Sequence, residues 1–255
     1  MKRPMGSTAL SARAQRVVRQ AVHALGDRRA RPNVRWLALL TGAPAAELSL
    51  VLEEIEELLP VAEEIRGHHR EGGRPSYAQF RAPFELYAMV RLLRPEHVVE
   101  TGVSSGVSSA HFLSALARNG RGTLHSIDFP TRQRGPRFSR QDSVVALPPG
   151  RESGWAVPAS LRSGWDLRVG RSEEILPTLM GEIPSLGLFL HDSLHTPGHL
   201  TFELTTVRPK LERGAIVLAD NTVWTGQAFP RFAAALGAPL RRRGRSDLVG
   251  LRVPS

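Results

Sequence analysis

From Ala12 to Leu59 apolar residues return every three or four positions, the spacing that turns one face of a helix toward a core. Val17, Val18, Ala21, Val22 and Leu25 form one stripe, with Gly26 as its C-cap. Val34 to Leu40 form a second run that stops at Thr41-Gly42. From Ala45, a third stripe of Leu48, Val51, Leu52, Ile55, Leu58 and Leu59 is backed by Glu53, Glu54, Glu56 and Glu57, until Pro60 ends or kinks it. Gly67 to Pro75 is polar, contains Gly72-Gly73, and reads as a linker.

Beyond the linker, helical patterns alternate with short, wholly apolar runs. Helices are expected over Ala82–Leu93, Val107–Asn119, Ser172–Met180 and Pro197–Leu211. Strands are expected over His97–Thr101, Thr123–Asp128, Asp166–Val169, Leu186–His191 and Ala215–Asp220, with a final pair near Pro239–Arg242 and Leu248–Val253. Alternation of this kind predicts an α/β core: a doubly wound, seven-stranded, mostly parallel sheet covered on both faces, with a helical cap before it. The expected division is a cap and linker over residues 1–75 and a core over 76–255, interrupted by an insertion at 129–165.

The 255 residues are enough for such a core, and the absence of cysteine excludes disulfides, thiolate metal sites and sulfur nucleophiles. No apolar run approaches the roughly 18 residues of a membrane span, and Met1–Leu10 lacks the apolar stretch of a secretory signal, so a cytoplasmic location is expected. The net charge of +10 invites a nucleic-acid reading. Its distribution weakens that reading. Residues 1–35 hold nine bases and one acid, residues 36–65 hold seven acids and no base, and these blocks nearly cancel. What remains is local: Arg132, Arg134, Arg137, Arg140 and Arg151 in the insertion, and Arg241, Arg242, Arg243 and Arg245 near the end. The insertion, with Trp155 and Trp165, reads either as a lid over an acidic or aromatic-bearing substrate or as a solvated loop.

Ligands of parallel sheets bind at the carboxyl ends of the strands, and the chemically informative residues fall there. The first strand runs into Glu100-Thr101-Gly102-Val103-Ser104-Ser105-Gly106-Val107-Ser108. Gly102 and Gly106 allow close backbone approach, and Ser108 opens a helix whose free N–H groups can hold a carboxylate. The same segment satisfies the G-x-S-x-G of a hydrolase elbow, with Ser104 as nucleophile, although the helical sequence upstream fits that fold poorly. Buried Glu100 needs a cationic or hydrogen-bonding partner, such as the ammonium of S-adenosylmethionine, and Asp128 at the end of the second strand is placed to accept ribose hydroxyls. Asp192 and the pair Asp220-Asn221 close two adjacent strands, a hard oxygen set suited to Mg²⁺. His191, His195 and His199, spaced by four, offer a competing zinc reading that Pro197 interrupts.

From Glu100 to Gly226 the sequence resembles the class I, metal-dependent O-methyltransferases of the catechol and caffeoyl-CoA type and the related macrocin O-methyltransferase group. Val98-Val99-Glu100-Thr101-Gly102 resembles their first motif, and Gly170-Arg171-Ser172-Glu173-Glu174-Ile175-Leu176-Pro177 resembles their adenine-side segment. Leu188-Phe189-Leu190-His191-Asp192, followed by Val217-Leu218-Ala219-Asp220-Asn221, resembles their metal-binding part.

The resemblance implies a Rossmann-like methyltransferase fold and a set of roles. Glu100, Gly102, Ser104 and Gly106 would contact the methionine end of S-adenosylmethionine, Ser108 its carboxylate, Asp128 the ribose, and Ser172 with Glu173 the adenine. Asp192, which also borders the cofactor, would bind Mg²⁺ or another divalent cation with Asp220 and Asn221. Where the catechol enzymes carry a lysine base, His195 stands here, either as the base or as a neighbour of the metal site. The implied activity is Mg²⁺-assisted methylation of a small hydroxylated metabolite, which the arginines suggest is acidic. The N-terminal helices offer a homodimer face. An RNA methyltransferase and a non-catalytic cofactor-binding regulator with an N-terminal helix-turn-helix are the alternatives.

Overall fold

The computed structural model describes residues 9–25, 31–72, 82–130 and 147–254. Four helices lead the chain: α1 (Ala12–Leu25), α2 (Val34–Thr41), α3 (Ala45–Glu53) and α4 (Ile55–Gly72). The Asn33 side chain caps α2 by accepting from the Trp36 N–H at 3.0 Å, and Gly42 ends it in the left-handed conformation. Two expectations shift here. The break in the acidic stripe falls at Glu54 rather than Pro60, so Pro60 lies in the second turn of α4, where its ring costs one backbone bond. The helix then runs through the expected linker to Gly72, while the rest of that linker, like Gly26, lies outside the described residues.

The core follows as α5 (Pro83–Leu93), β1 (His97–Thr101), α6 (Val107–Asn119), β2 (Thr123–Asp128), β3 (Trp165–Val169), α7 (Ser172–Glu182), β4 (Leu186–His191), α8 (Pro197–Val207), β5 (Leu211–Ala219), α9 (Ala228–Ala235), β6 (Arg241–Arg242) and β7 (Val249–Arg252). The seven strands form one sheet in the order β3-β2-β1-β4-β5-β7-β6. β7 alone runs antiparallel to its two neighbours, β5 and β6, so the sheet is mostly parallel, as expected. Alternate residues of the central strands enter two separate cores. Val98, Leu124, Leu188 and Leu218 pack with α1–α6, whereas Val99, Ile127, Phe189 and Val217 pack with α7–α9. Burial on both faces is why these strands read as unbroken apolar runs.

The N-terminal helices share the first of these cores and are tied to it by polar contacts. Trp36 Nε1 donates to the Arg241 carbonyl at 2.9 Å, and Arg91 with the Tyr87 hydroxyl holds Glu54. Arg243 Nε meets the fully buried Glu85 at 2.5 Å, so one member of the terminal arginine cluster is spent inside the fold. Among the described residues no single helix is long and apolar enough to cross a membrane.

Candidate active site

Chain order reverses between β1 and β4, which leaves a crevice at the carboxyl edge of the sheet where ligands of such sheets bind. Backbone bonds continue past the strand ends and fix what lines it. Gly102 N–H donates to the Ile127 carbonyl at 2.9 Å, Asp192 N–H to Thr101 at 2.8 Å, and Asp220 N–H to His191 at 2.9 Å. Asp192 and Asp220 are thereby set side by side on neighbouring strand ends.

The turn after β1 requires its glycines. Gly102 (φ +88°) and Gly106 (φ +93°) occupy the left-handed region, and a Cβ on Gly102 would collide with the Asp192 carbonyl. Ser104, at φ +50°, shares that strained region. Glu100 is fully buried, and its carboxylate accepts from Ser108 Oγ at 2.8 Å, Ser126 Oγ at 2.7 Å, and Ser109 Oγ. Trp165 Nε1 extends this network to Ser126 at 2.7 Å. Burial pushes the Glu100 carboxyl up to about 7 against the pull of the three hydroxyls. The partner that buried Glu100 needs is thus supplied by serines of the chain. Ser108, expected at the cofactor carboxylate, also directs its hydroxyl to Glu100.

Asp128, at the end of β2, accepts from the Val103 N–H at 3.2 Å and from Ser153 Oγ. Burial raises its carboxyl, with the Ser153, Val103 and Ser104 hydrogen bonds opposing. Ser153 belongs to the end of the insertion, which is strapped across the turn: Gly154 N–H donates to the Ser104 carbonyl at 2.7 Å and Ala156 N–H to Ser105 at 3.0 Å. Trp155 stacks edge-on against His69 of α4 with Arg151 over its ring, and Trp165 opens β3. Both tryptophans therefore pack against the body of the protein. Arg132, Arg134, Arg137 and Arg140, the rest of the expected lid, lie outside the described residues.

At the start of α7, Ser172 Oγ and Glu173 Oε1 each lie 3.1 Å from a ring nitrogen of His199. Burial disfavours a charge on His199, but the hydrogen bonds and charges of Glu203 and Glu173 outweigh it and raise the imidazole above its ordinary value. Burial and the charge of Asp192 push Asp220 up to about 7. His195 is buried, with Nε2 3.3 Å from Asp192 Oδ1 and 3.4 Å from Asn221 Nδ2. Asn221 holds φ +52°, a left-handed turn that aims its amide back toward His195. The structure therefore brings Asp192, His195, Asp220 and Asn221 together. Among the described residues, however, no three His, Asp or Glu side chains converge tightly enough to hold a metal unaided. His191 and His199 turn ring nitrogens to Glu203, at 2.7 and 2.9 Å, which accounts for two of the three histidines in the zinc reading.

Residues 99–222 match the model of a family described as a methyltransferase domain. The fold agrees with those of solved methyltransferases. An O-methyltransferase from Klebsiella pneumoniae, described as putative, is 19% identical over 77% of this chain and 90% of its own, with a TM-score of 0.54. The O-methyltransferase TomG from Streptomyces achromogenes is 21% identical over 76% of this chain and 89% of its own, with a TM-score of 0.52. The O-methyltransferase NovP is 19% identical over 95% of this chain and all of its own, with a TM-score of 0.53. No curated protein matches the sequence significantly. Residues 99–222 are thus similar to a methyltransferase domain and lie on a sheet of the methyltransferase fold, and the hydrolase reading of Ser104 is set aside.

Proposed function

We propose that the protein transfers a methyl group from S-adenosylmethionine to an oxygen of a small hydroxylated metabolite, with Mg²⁺ or a similar divalent cation at the acceptor site, in the cytoplasm. One observation carries this reading: Asp220 and Asp192 sit on adjacent strand ends, close enough for each charge to oppose the other, with neither paired to an arginine or lysine among the described residues. Two such carboxylates beside an asparagine amide suit a hard cation that retains several waters, which does not require a third acidic ligand. The solved O-methyltransferases of similar fold, one described in complex with S-adenosylmethionine, support the donor and the acceptor atom.

Asp192, Asp220 and Asn221 would hold the cation, which when bound lowers the pKa of an acceptor hydroxyl. The Gly102–Gly106 turn lets the methionine end approach the backbone, Asp128 accepts the ribose hydroxyls, and Ser172 with Glu173 flank the adenine. His195, beside Asp192 and Asn221, takes the acceptor proton through Nε2. Methyl transfer to oxygen is an in-line displacement, so the chain's main task is alignment, which supplies up to roughly 7–11 kcal/mol in the best cases. The RNA reading loses support because Arg243 is consumed by Glu85. Electron paramagnetic resonance of Mn²⁺ tests the cation site: bound Mn²⁺ is expected with the wild-type protein and not with Asp220→Ala. Equal binding by both would remove Asp220 from the site.

A further inference from the structure

Glu203, on α8, is fully buried and collects hydrogen bonds from three separate parts of the site. Its Oε2 accepts from Thr101 Oγ1 at 2.8 Å, at the end of β1, and lies 2.7 Å from His191 Nδ1, at the end of β4. Its Oε1 accepts from Ser193 Oγ at 3.0 Å, next to Asp192, and lies 2.9 Å from His199 Nε2. His199 in turn reaches Ser172 and Glu173. One carboxylate thus joins the strand that carries the glycine turn, the loop that carries Asp192, and the start of α7.

We propose that Glu203 is a positioning residue for the cofactor: it holds the glycine-turn side and the Ser172–Glu173 side of the crevice at a fixed separation. The inference rests on the methyl-transfer reading for the identity of the ligand. The physical basis is that a buried carboxylate is retained at low cost only when donors saturate it, and here the donors come from the end of β1, the end of β4, the loop after it and α8. A helix side chain packed on the sheet is also a rigid support, since α8 is anchored in the second core by Leu200, Leu204 and Val207. Glu203 touches neither of the proposed reacting groups, so it acts through Thr101, His191, Ser193 and His199.

Calorimetric titration of the full-length protein with S-adenosylhomocysteine tests this, because that probe needs neither acceptor nor metal. Glu203→Gln keeps the side-chain size but cannot accept from all four partners. It is expected to fold with the wild-type circular dichroism, to bind the probe roughly 10–100-fold more weakly, and to shift the His199 ring ¹⁵N signals toward the neutral imidazole. A folded Glu203→Gln protein with affinity within about twofold of wild type would overturn the proposal. If Glu203→Gln does not fold, Thr101→Val and His199→Gln each remove one arm of the network. Weakened binding by both supports the proposal, and wild-type affinity in both overturns it. Failure of the methyl-transfer reading is separately visible, as wild-type protein that binds no S-adenosylhomocysteine, and it would take the Glu203 proposal with it.

Discussion

The hydroxyl of Ser153 donates to the carboxylate of Asp128, so the acid proposed to meet the cofactor ribose is held by the strap that closes the insertion. The strap is pinned in place by the Gly154 and Ala156 amides, which bond to the carbonyls of Ser104 and Ser105. Turn, strap and acid are therefore tied together by hydrogen bonds. Ser153→Ala is expected to destabilise the cofactor-free protein by roughly 1–3 kcal/mol, the worth of a buried hydrogen bond to a charged group. The loss should shrink when S-adenosylhomocysteine is bound, because ribose hydroxyls replace the missing donor. Urea denaturation of both proteins with and without the ligand measures this; a deficit of the same size in both states would mean that Asp128 does not meet the ribose.

Glu100 gives the site a pH signature. Burial raises its carboxyl from the ordinary carboxylate range to about 7 in the folded chain. Its contribution to stability is then fully present below the unfolded value and is lost as pH rises through the folded one. The cofactor-free protein should lose stability between pH 5 and pH 8, and Glu100→Gln should flatten that slope while remaining folded. Thermal unfolding across this range decides the matter. An unchanged slope in Glu100→Gln would place the titration on other buried acids, such as Glu85 or Asp128, which burial also raises.

His195 can be separated from its neighbours by kinetics. His195→Gln removes the proposed base but keeps a polar group beside Asp192, so turnover is expected to fall roughly 10²–10⁴-fold with S-adenosylhomocysteine affinity little changed. The acidic limb of the pH–rate profile should vanish with it. A variant that lost cofactor affinity in proportion to turnover would make His195 a structural neighbour of the proposed cation site.

Most of the sheet was legible in the sequence because both its faces are buried. Four strands announced themselves as short, largely apolar runs ending in Thr101, Asp128, His191 and Ala219-Asp220, and the acids at or just beyond those ends marked the crevice; the strand ending at Val169 is only partly buried and alternates polar with apolar residues. The helices were harder. Pro60 looked like a terminator, but a helix that restarts at Ile55 tolerates proline in its second turn. α9 (Ala228–Ala235) was missed: its eight residues hold only a short apolar pattern, and Phe229 and Phe232 find their partners in the second core rather than in sequence. Glu203 was invisible for a different reason. In Pro197-Gly198-His199-Leu200-Thr201-Phe202-Glu203 it reads as an ordinary polar position on a helix, and only the sheet brings Thr101 and His191 to it. Ser109, Ser126 and Ser153 carried no signal either, since a serine that serves a buried carboxylate has the same local pattern as one in water.

Transfer of labelled methyl groups from S-adenosylmethionine to a panel of small vicinal diols and hydroxy acids, with Mg²⁺ and then with excess chelator, tests the central claim most directly. Wild-type protein should methylate an acceptor oxygen with Mg²⁺, lose that activity on chelation and regain it when Mg²⁺ is restored, while Asp220→Ala stays inactive throughout. Methylation that survives both exhaustive chelation and Asp220→Ala would contradict the metal-assisted mechanism.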